Sequence, residues 1–389
     1  MIELKDLNRI QSEFKDCLLL AESFLKSCHR CDQFSLTKDS DISIFSNCFG
    51  VFLSNALNRM DKFIDEEFIS ERIFEDLLIL KDKRAKVCHS LSTDKEFMQA
   101  LAFSLSALWI LKKVDFFEIE DLILEVVEED TVTYLDDIAS SFGKPQSGNL
   151  AMCMAVMYIF LKEHSSLNFN EQIELWVDYH IDNMNDHGFW GDGNFTHLQF
   201  QNGYHQYEIF EYLNVENKKL DNALYAVSSL ADSRGQFAPY FGGSGCYEYD
   251  AITILTSKKS LMLENIDLIN RTIGTIFKDQ NQDGGFSESK WIRPRTIKSF
   301  RENITKIIHS PNLDIFTERL RYFSALNHPK HNRIKTHWTS YSRDWSESNT
   351  WDTWFRLMTI ARVLFKLDKH EGVNWSFINF PGIGFYNSN

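Results

Sequence analysis

Apolar residues recur at three- and four-residue spacing along almost the whole chain, while strand-like alternation is scarce. Six segments are apolar on nearly every helical face: IFSNCFGVFLSNAL, FMQALAFSLSALWIL, NLAMCMAVMYIFL, QNGYHQYEIFEYL, GSGCYEYDAITIL and SNTWDTWFRLMTIARVL. A helix that is apolar all round must be covered all round, so each of these should be buried. Their helical cores begin near residues 42, 96, 149, 204, 247 and 350. Between them lie amphipathic segments such as EEFISERIFEDLLILKDKR, NEQIELWVDYHIDNM and ENIDLINRTIGTIFKD. Most intervals run from about 40 to 55 residues, the length of one helical hairpin, and the last is about twice as long.

This alternation predicts an all-α chain, an α/α toroid (barrel) of about six helical hairpins, with buried helices as the inner wall and amphipathic ones as the outer. The domain reading is a single toroid over 1–389, with an N-terminal helix in 1–35, a basic insertion or lid at 290–345 in the last repeat, and a C-terminal tail at 366–389. The loops from outer to inner helix would then open on one rim, towards which the partly positive N-termini of the inner helices point.

Three of the buried segments carry an aromatic-acid dipeptide downstream of a Gly-aromatic loop: Tyr207-Glu208, Tyr249-Asp250 and Trp351-Asp352. If the repeats align on the acid, Glu208, Asp250 and Asp352 occupy first turns of equivalent helices and converge on one mouth. Glu248, Tyr204, His205, Tyr207, Tyr249, Asn349, Trp351 and Trp354 are expected there too, with Trp190 from the preceding loop. A carboxyl in an aromatic, apolar setting has its pKa raised, which makes it a proton donor near neutral pH.

Net charge is −14, which argues against a general nucleic-acid binder. The charge is uneven: eleven Lys/Arg face three acids between Lys290 and His337, a net +8 that leaves −22 for the remainder. That segment reads either as a solvated face or as an anion site for a diphosphate or acidic sugar, with Arg293, Arg295 and Arg301 as leading contacts. Seven cysteines, an odd number, fit a reducing, cytoplasmic setting, and the lone Cys28–Cys31 pair lacks further ligands. No cofactor or metal is expected. No apolar run reaches the roughly 18 residues of a membrane span, which leaves room for peripheral association only.

Gln280-Asn281-Gln282-Asp283-Gly284-Gly285-Phe286 resembles the Q-x-x-D-G-G-F/W element of squalene- and oxidosqualene-type terpene cyclases and of protein prenyltransferase β-subunits, and Asp186-His187-Gly188-Phe189-Trp190-Gly191 is similar to a degenerate copy. The resemblance implies an α/α toroid whose cavity holds an isoprenoid. It also implies that Glu248-Tyr249-Asp250-Ala251 stands where those cyclases carry their D-x-D-D acid motif, with two acids kept at the right spacing and the third missing. Asp250 would be the proton donor. The zinc set of the prenyltransferases is matched only by Cys246 and Asp250, at different spacing.

Three classes of function follow. The first is acid-initiated cyclisation or rearrangement of an isoprenoid or isoprenoid diphosphate by Asp250, Glu248, Glu208 and Asp352. The second is a carbohydrate-active toroid, a lyase or hydrolase of an acidic glycan, in which Tyr204 and His205 act with the rim carboxylates while Asn202 and Asn349 neutralise a uronate. The third is a non-catalytic toroid that binds a partner or lipid-linked glycan.

Overall fold

The computed structural model describes residues 4–114, 118–128, 130–243, 245–293, 296–367, 373–377 and 380–382, with side chains from residue 8 onward. Among them are α1 Leu4–Cys28, α2 Ile44–Ala56, α3 Met60–Phe63, α4 Glu66–Ala85, α5 Lys95–Ile110, α6 Ile119–Leu124, α7 Thr131–Asp137, α8 Ser147–His164 and α9 Asn170–Asp182. There follow α10 His197–Tyr212, α11 Leu220–Leu230, α12 Gly245–Leu255, α13 Lys259–Glu264, α14 Ile266–Asp279, α15 Ile297–Ile308, α16 Leu313–Asn327 and α17 Thr350–Lys366. The only strands among the described residues form two small antiparallel hairpins, β1 His29–Arg30 with β2 Gln33–Phe34 and β3 Arg333–Ile334 with β4 Arg343–Asp344. No helix there is long and apolar enough to cross a membrane. The chain is all-α, as the periodicity predicts.

Two compact units divide the chain: Met1–Ile64, Asn194–His197 and Leu224–Phe377 in the first, and Asp65–Gly193, Leu198–Ala223 and Ile378–Asn389 in the second. In the first, α17 packs against α2 and α12, and all three are buried on almost every side. The amphipathic α14 lies against α17 and α1, with Leu268, Ile269, Thr272, Ile273 and Ile276 buried. In the second unit the enclosed pair is α5 and α8, flanked by α4 and α9. Helices that are apolar all round are thus the enclosed ones, because only there is every face removed from water.

One backbone turn is built three times. The N–H of Asn185, Asp232 and Asn281 donates to the carbonyl four residues on, and the N–H of Gly188, Gly235 and Gly284 donates back to that first residue. The three glycines have φ of +79°, +76° and +91°, the left-handed region. A Cβ at Gly188 would press on Lys219 and Ala223 at the start of α11, one at Gly235 on Thr272 of α14, and one at Gly284 would overlap the Leu20 carbonyl of α1. Each glycine therefore lets a helix sit directly on the turn. For the third turn that helix is the amino-terminal one, held also by Gln280 Nε2, which donates to the Cys17 carbonyl at 3.0 Å. The residue five after the start of the turn is Trp190, Phe237 or Phe286, and each is buried. The next enclosed helix begins 12, 13 and 69 residues after the turn starts.

The structure corrects the alignment of the three acids. α10 begins at His197, about two turns before the expected start, because HLQFQN is helical despite its polarity and His197, Gln199 and Asn202 are buried. Glu208 accordingly lies near the C-terminal end of its helix, and Asp250 lies in the second turn of α12. Only Asp352 is in a first turn. The expected amino-terminal helix also ends sooner, at Cys28, where Cys31 and Asp32 take φ of +48° and +58° and reverse the chain into the β1–β2 hairpin.

Candidate functional site

The richest chemistry among the described residues gathers in the first unit, where α12 and α17 begin. Asn349 caps α17: its Oδ1 accepts from the Asp352 N–H at 2.9 Å, and its Nδ2 donates to the Asp352 carboxylate. Asp352 Oδ1 also accepts from the Gly245 N–H at 3.3 Å, which ties the first turns of the two helices together. One turn further along, Arg356 Nη1 donates to Glu248 Oε2 at 2.7 Å, and both side chains are essentially without solvent. Arg362, another buried guanidinium, reaches Thr256 Oγ1 and the Thr253 carbonyl at 2.8 and 3.0 Å.

Around this seam runs a shell of further ionic groups. Glu288, just after the third turn, accepts from the Tyr240 hydroxyl and lies 3.8 Å from the buried Arg343. Arg234 donates to both oxygens of Asp279 at 2.9 and 3.0 Å, and Trp291 Nε1 reaches the same carboxylate at 3.2 Å. Lys306, on α15, is buried against Asp232 at 3.0 Å. Arg319, on α16, donates to the carbonyls of Lys306 and Leu230. Asp232, Lys306 and Arg319 also line a pocket of about 360 Å³ together with Phe241, Glu302 and His309.

Burial sets the protonation of this region. It pushes the Glu248 carboxyl up to about 7 despite Arg356 and Lys306. It lifts Glu288 to about 7 as well, with neighbouring Asp352 adding to the rise and Arg343 opposing it. Burial works to raise Asp232 too, but Lys306 and the Gln236 and Arg234 N–H groups outweigh it and hold that carboxyl low. Two carboxyls that titrate near neutrality therefore stand beside one that stays ionised.

Beside the acids lies a run of aromatic rings. On α17, Trp351 meets Phe355 at 4.3 Å and Trp354 meets Phe355 at 4.9 Å. Phe49 of α2 is 4.7 Å from Trp351, and Phe52 is 4.9 Å from Trp354. Trp338, from the β3–β4 connection, closes on Trp351 at 4.7 Å, and Ser43 Oγ at the start of α2 donates to its carbonyl. Tyr249 joins the run from α12, edge-on to Phe355 at 5.4 Å. Asp250 is the next residue and is 3% exposed.

Of the residues singled out by sequence, Glu248, Tyr249, Asp250, Asn349, Trp351, Asp352 and Trp354 come from these two helices and the cap. Glu208, Trp190, Tyr204, His205 and Tyr207 belong to the second unit. There Trp190 is buried with its Nε1 on the His180 carbonyl at 2.8 Å, and the Tyr207 hydroxyl donates to the Gly188 carbonyl at 2.6 Å. Both rings therefore hold the first turn rather than present a polar edge to a ligand. His205 contacts Asn149, and burial pushes its imidazole down to about 3. Asn202 bonds the Gly148, Gly143 and Leu198 backbone, and Asn349 is a helix cap. The two amides of the glycan reading are thus engaged in the fold.

Of the three expected anion contacts, the two that are described have partners within the protein. Arg293 donates to the Ile292 and Leu326 carbonyls, Arg301 is exposed and pairs with Glu302 at 3.2 Å, and Arg295 lies outside the described residues. The basic segment also sends Lys306 and Arg319 inward, because each answers a buried acceptor. Sequence reasoning missed Glu288, Arg356, Arg343 and Lys306. For Arg356 a signal was present: a guanidinium in a helix apolar all round must meet buried acceptors, of which an acid is one and the hydroxyl and carbonyl met by Arg362 are others. No group of three or more His, Cys, Asp or Glu among the described residues is placed to hold a metal ion.

No family model matches the sequence, and no curated protein matches it. Among solved structures, the chain is similar to the apo type II terpene cyclase MstE from Scytonema, at 9% identity over 92% of this chain and 99% of that one, with a TM-score of 0.46. It is also similar to a variant of that enzyme in complex with merosterolic acid A, its product, at 10% identity over 92% and 98% of the two chains, with a TM-score of 0.40.

Proposed function

We propose that this chain is an acid-initiated isoprenoid cyclase, in which Asp250 delivers a proton to a terminal alkene and the aromatic run beside it stabilises the carbocation that forms. The observation that carries the reading is a buried acid on α12 one residue from Tyr249, whose ring meets Phe355 of α17, the start of a run of rings that continues through Trp351 and Trp354 to Phe49, Phe52 and Trp338. A cation against such a face gains about 0.5–2 kcal/mol per ring when water is excluded. The carboxyl proton passes to one alkene carbon, the π electrons of that bond form the new C–H bond, and the adjacent carbon becomes the cation that the next alkene attacks. Loss of a proton or capture of water ends the sequence.

Glu248 supports the assignment from the other side of the helix start. Burial raises the Glu248 carboxyl itself to about 7 against the opposing charge of Arg356, so this helix start already holds one acid that titrates near neutrality. The surrounding fold is read as an α/α toroid of about six hairpins, with 290–345 as an insertion that serves as a lid. Supporting it are the thrice-built turn, the 69-residue interval before α17, and the seating of α1 on the third turn.

Incubation with linear isoprenoid diphosphates and the corresponding alcohols in deuterium oxide tests the reading. Cyclised product carrying a single deuterium at the initiating carbon is the expected result. Cleavage of an acidic oligosaccharide, with no isoprenoid turned over, would replace it with the glycan reading.

A further inference from the structure

With the chain just after α11, the helices α15 and α16 enclose a recess of about 360 Å³. Its volume equals that of about a dozen waters at about 30 Å³ each, within the range of small-molecule sites. All of its lining belongs to the first unit. Lys306 and Arg319 are buried and form its deep wall, whereas Ser233, Thr305 and His309 are exposed and mark its open side. Glu302 stands one helical turn before Lys306 on the same face of α15, with its side chain 21% exposed.

Two of the charges in the wall cancel. Lys306 Nζ donates to Asp232 Oδ2 at 3.0 Å and to the Gln236 and Tyr240 carbonyls at 3.3 and 3.4 Å, and Asp232 Oδ1 accepts from the Arg234 and Gln236 N–H groups. Arg319 differs, because its hydrogen-bond partners are neutral. Its Nε donates to His197 Nε2 at 3.2 Å, Nη1 to the Lys306 carbonyl at 2.7 Å and Ser310 Oγ at 3.4 Å, and Nη2 to the Leu230 carbonyl at 2.8 Å. A guanidinium has five N–H groups, so among the described residues one on Nη2 is left over, on a side chain that lines the recess and is 2% exposed. Asp232 and Glu318 act on Arg319 only through space, and burial outweighs both, pulling the guanidinium down to about 10. Glu318 instead accepts from the His197 N–H at 2.7 Å. At the mouth the sign reverses. Glu302 pairs at 3.2 Å with Arg301, its exposed neighbour in sequence, a kind of pair that contributes little, and Lys298 lies over the Trp291 ring.

We propose that this recess binds a free α-amino acid with an aromatic or branched side chain, its carboxylate on Arg319, its ammonium on Glu302 and its side chain along Ala231 and Phe241. A buried cation, a carboxylate at the mouth and apolar surface match the three parts of such a zwitterion. A simple anion leaves Glu302 unanswered, and an amine leaves Arg319 without a counter-charge. Binding here does not depend on the reaction assigned to Asp250.

Isothermal titration of the whole protein with L-phenylalanine, L-tyrosine and L-leucine tests this without any turnover. At least one should bind. Its N-acetyl derivative lacks the ammonium and its carboxamide lacks the carboxylate, and each should bind at least about tenfold more weakly. Glu302→Gln should weaken binding of the amino acid by a similar factor. Thr305→Trp places a large ring at the mouth from an exposed helical position, and should abolish binding with an unchanged circular dichroism spectrum. The proposal is overturned if none of the three amino acids binds at millimolar concentration, or if the N-acetyl derivative binds as tightly as its parent. It is equally overturned if Thr305→Trp binds as the wild type does, since the ligand would then sit elsewhere.

Discussion

Glu248 Oε2 lies 2.7 Å from Arg356 Nη1 across the seam between α12 and α17, and neither side chain is more than 1% exposed. A buried pair of this kind matters chiefly through the consequence of breaking it. Removing Arg356 leaves a carboxyl with no counter-charge, and removing Glu248 strands a guanidinium that cannot deprotonate.

Arg356→Met should therefore destabilise the protein by about 3–5 kcal/mol, and Glu248→Gln by a similar amount, whereas Glu248→Gln/Arg356→Met should recover much of the loss. Urea denaturation of the four proteins in a double-mutant cycle measures it. Strict additivity of the two single losses would show that the contact does not couple the helices.

The third turn should be the least tolerant of a side chain. Gly284→Ala adds a Cβ where the Leu20 carbonyl of α1 already sits, on a residue with φ of +91°. Gly193 has φ of +74° with nothing near its missing Cβ, so Gly193→Ala pays only the left-handed backbone penalty of about 1–2 kcal/mol. Thermal unfolding should rank the alanine variants in that order. Equal losses would mean that α1 is not seated on the turn.

Acid should weaken the fold through buried histidines. Burial pushes His180 and His205 down to about 3, and His197 well below its ordinary value, whereas an unfolded imidazole titrates near 6.5. Below that value the unfolded chain takes up protons that the native one refuses. The stability these groups contribute is thus complete above about pH 6.5 and is lost as pH falls towards 3, by about 1.4 kcal/mol per pH unit for each histidine. His180 Nδ1 faces the Trp176 carbonyl at 2.7 Å, which calls for a proton on that nitrogen, and Nε2 faces Ser140 Oγ at 2.9 Å. Plotted against pH, the stability of His205→Gln should fall less steeply than wild type by one histidine's share; parallel profiles would contradict the shift.

Asp250→Asn should lower isoprenoid turnover by about 10²–10⁴-fold while leaving the unfolding midpoint nearly unchanged, since the amide keeps the shape and loses the proton. Tyr204→Phe and His205→Ala should cost much less. Full activity of Asp250→Asn would remove that residue from the mechanism and leave Glu288, with its carboxyl near 7, as the acid to test next.

The enclosed helices were legible because apolarity on all faces has one physical meaning, and five of the six segments start within a few residues of where the pattern places them. α10 was misplaced because its first turns are polar yet buried, and a hydrophobic pattern cannot distinguish buried amides from solvated ones. That error propagated: aligning three acids by their neighbours made Glu208 an equivalent of Asp352, although nine residues separate their positions along their helices. The site was legible where acids stood on apolar helices, as with Glu248, Asp250 and Asp352. Glu288 was hidden because it lies in a loop, where a carboxylate is expected to be solvated. Lys306 and Arg319 were hidden inside a run of charge whose sum looks like surface, although each is an individual counter-charge or carbonyl donor turned inward.

The seating of α1 on the third turn sets the order in which this molecule can be made. Gln280 closes on Cys17 across 263 residues of chain, so α1 is made long before this part of its resting place exists. Phe24, buried in the finished structure, stands against Gly285 and gains that part of its cover only when the third turn is in place. Contacts between such distant residues form late, since the chain entropy of closing the loop precedes any reward. A nascent chain therefore carries α1 only partly covered until the third turn emerges, and a stall in translation before that point should favour aggregation.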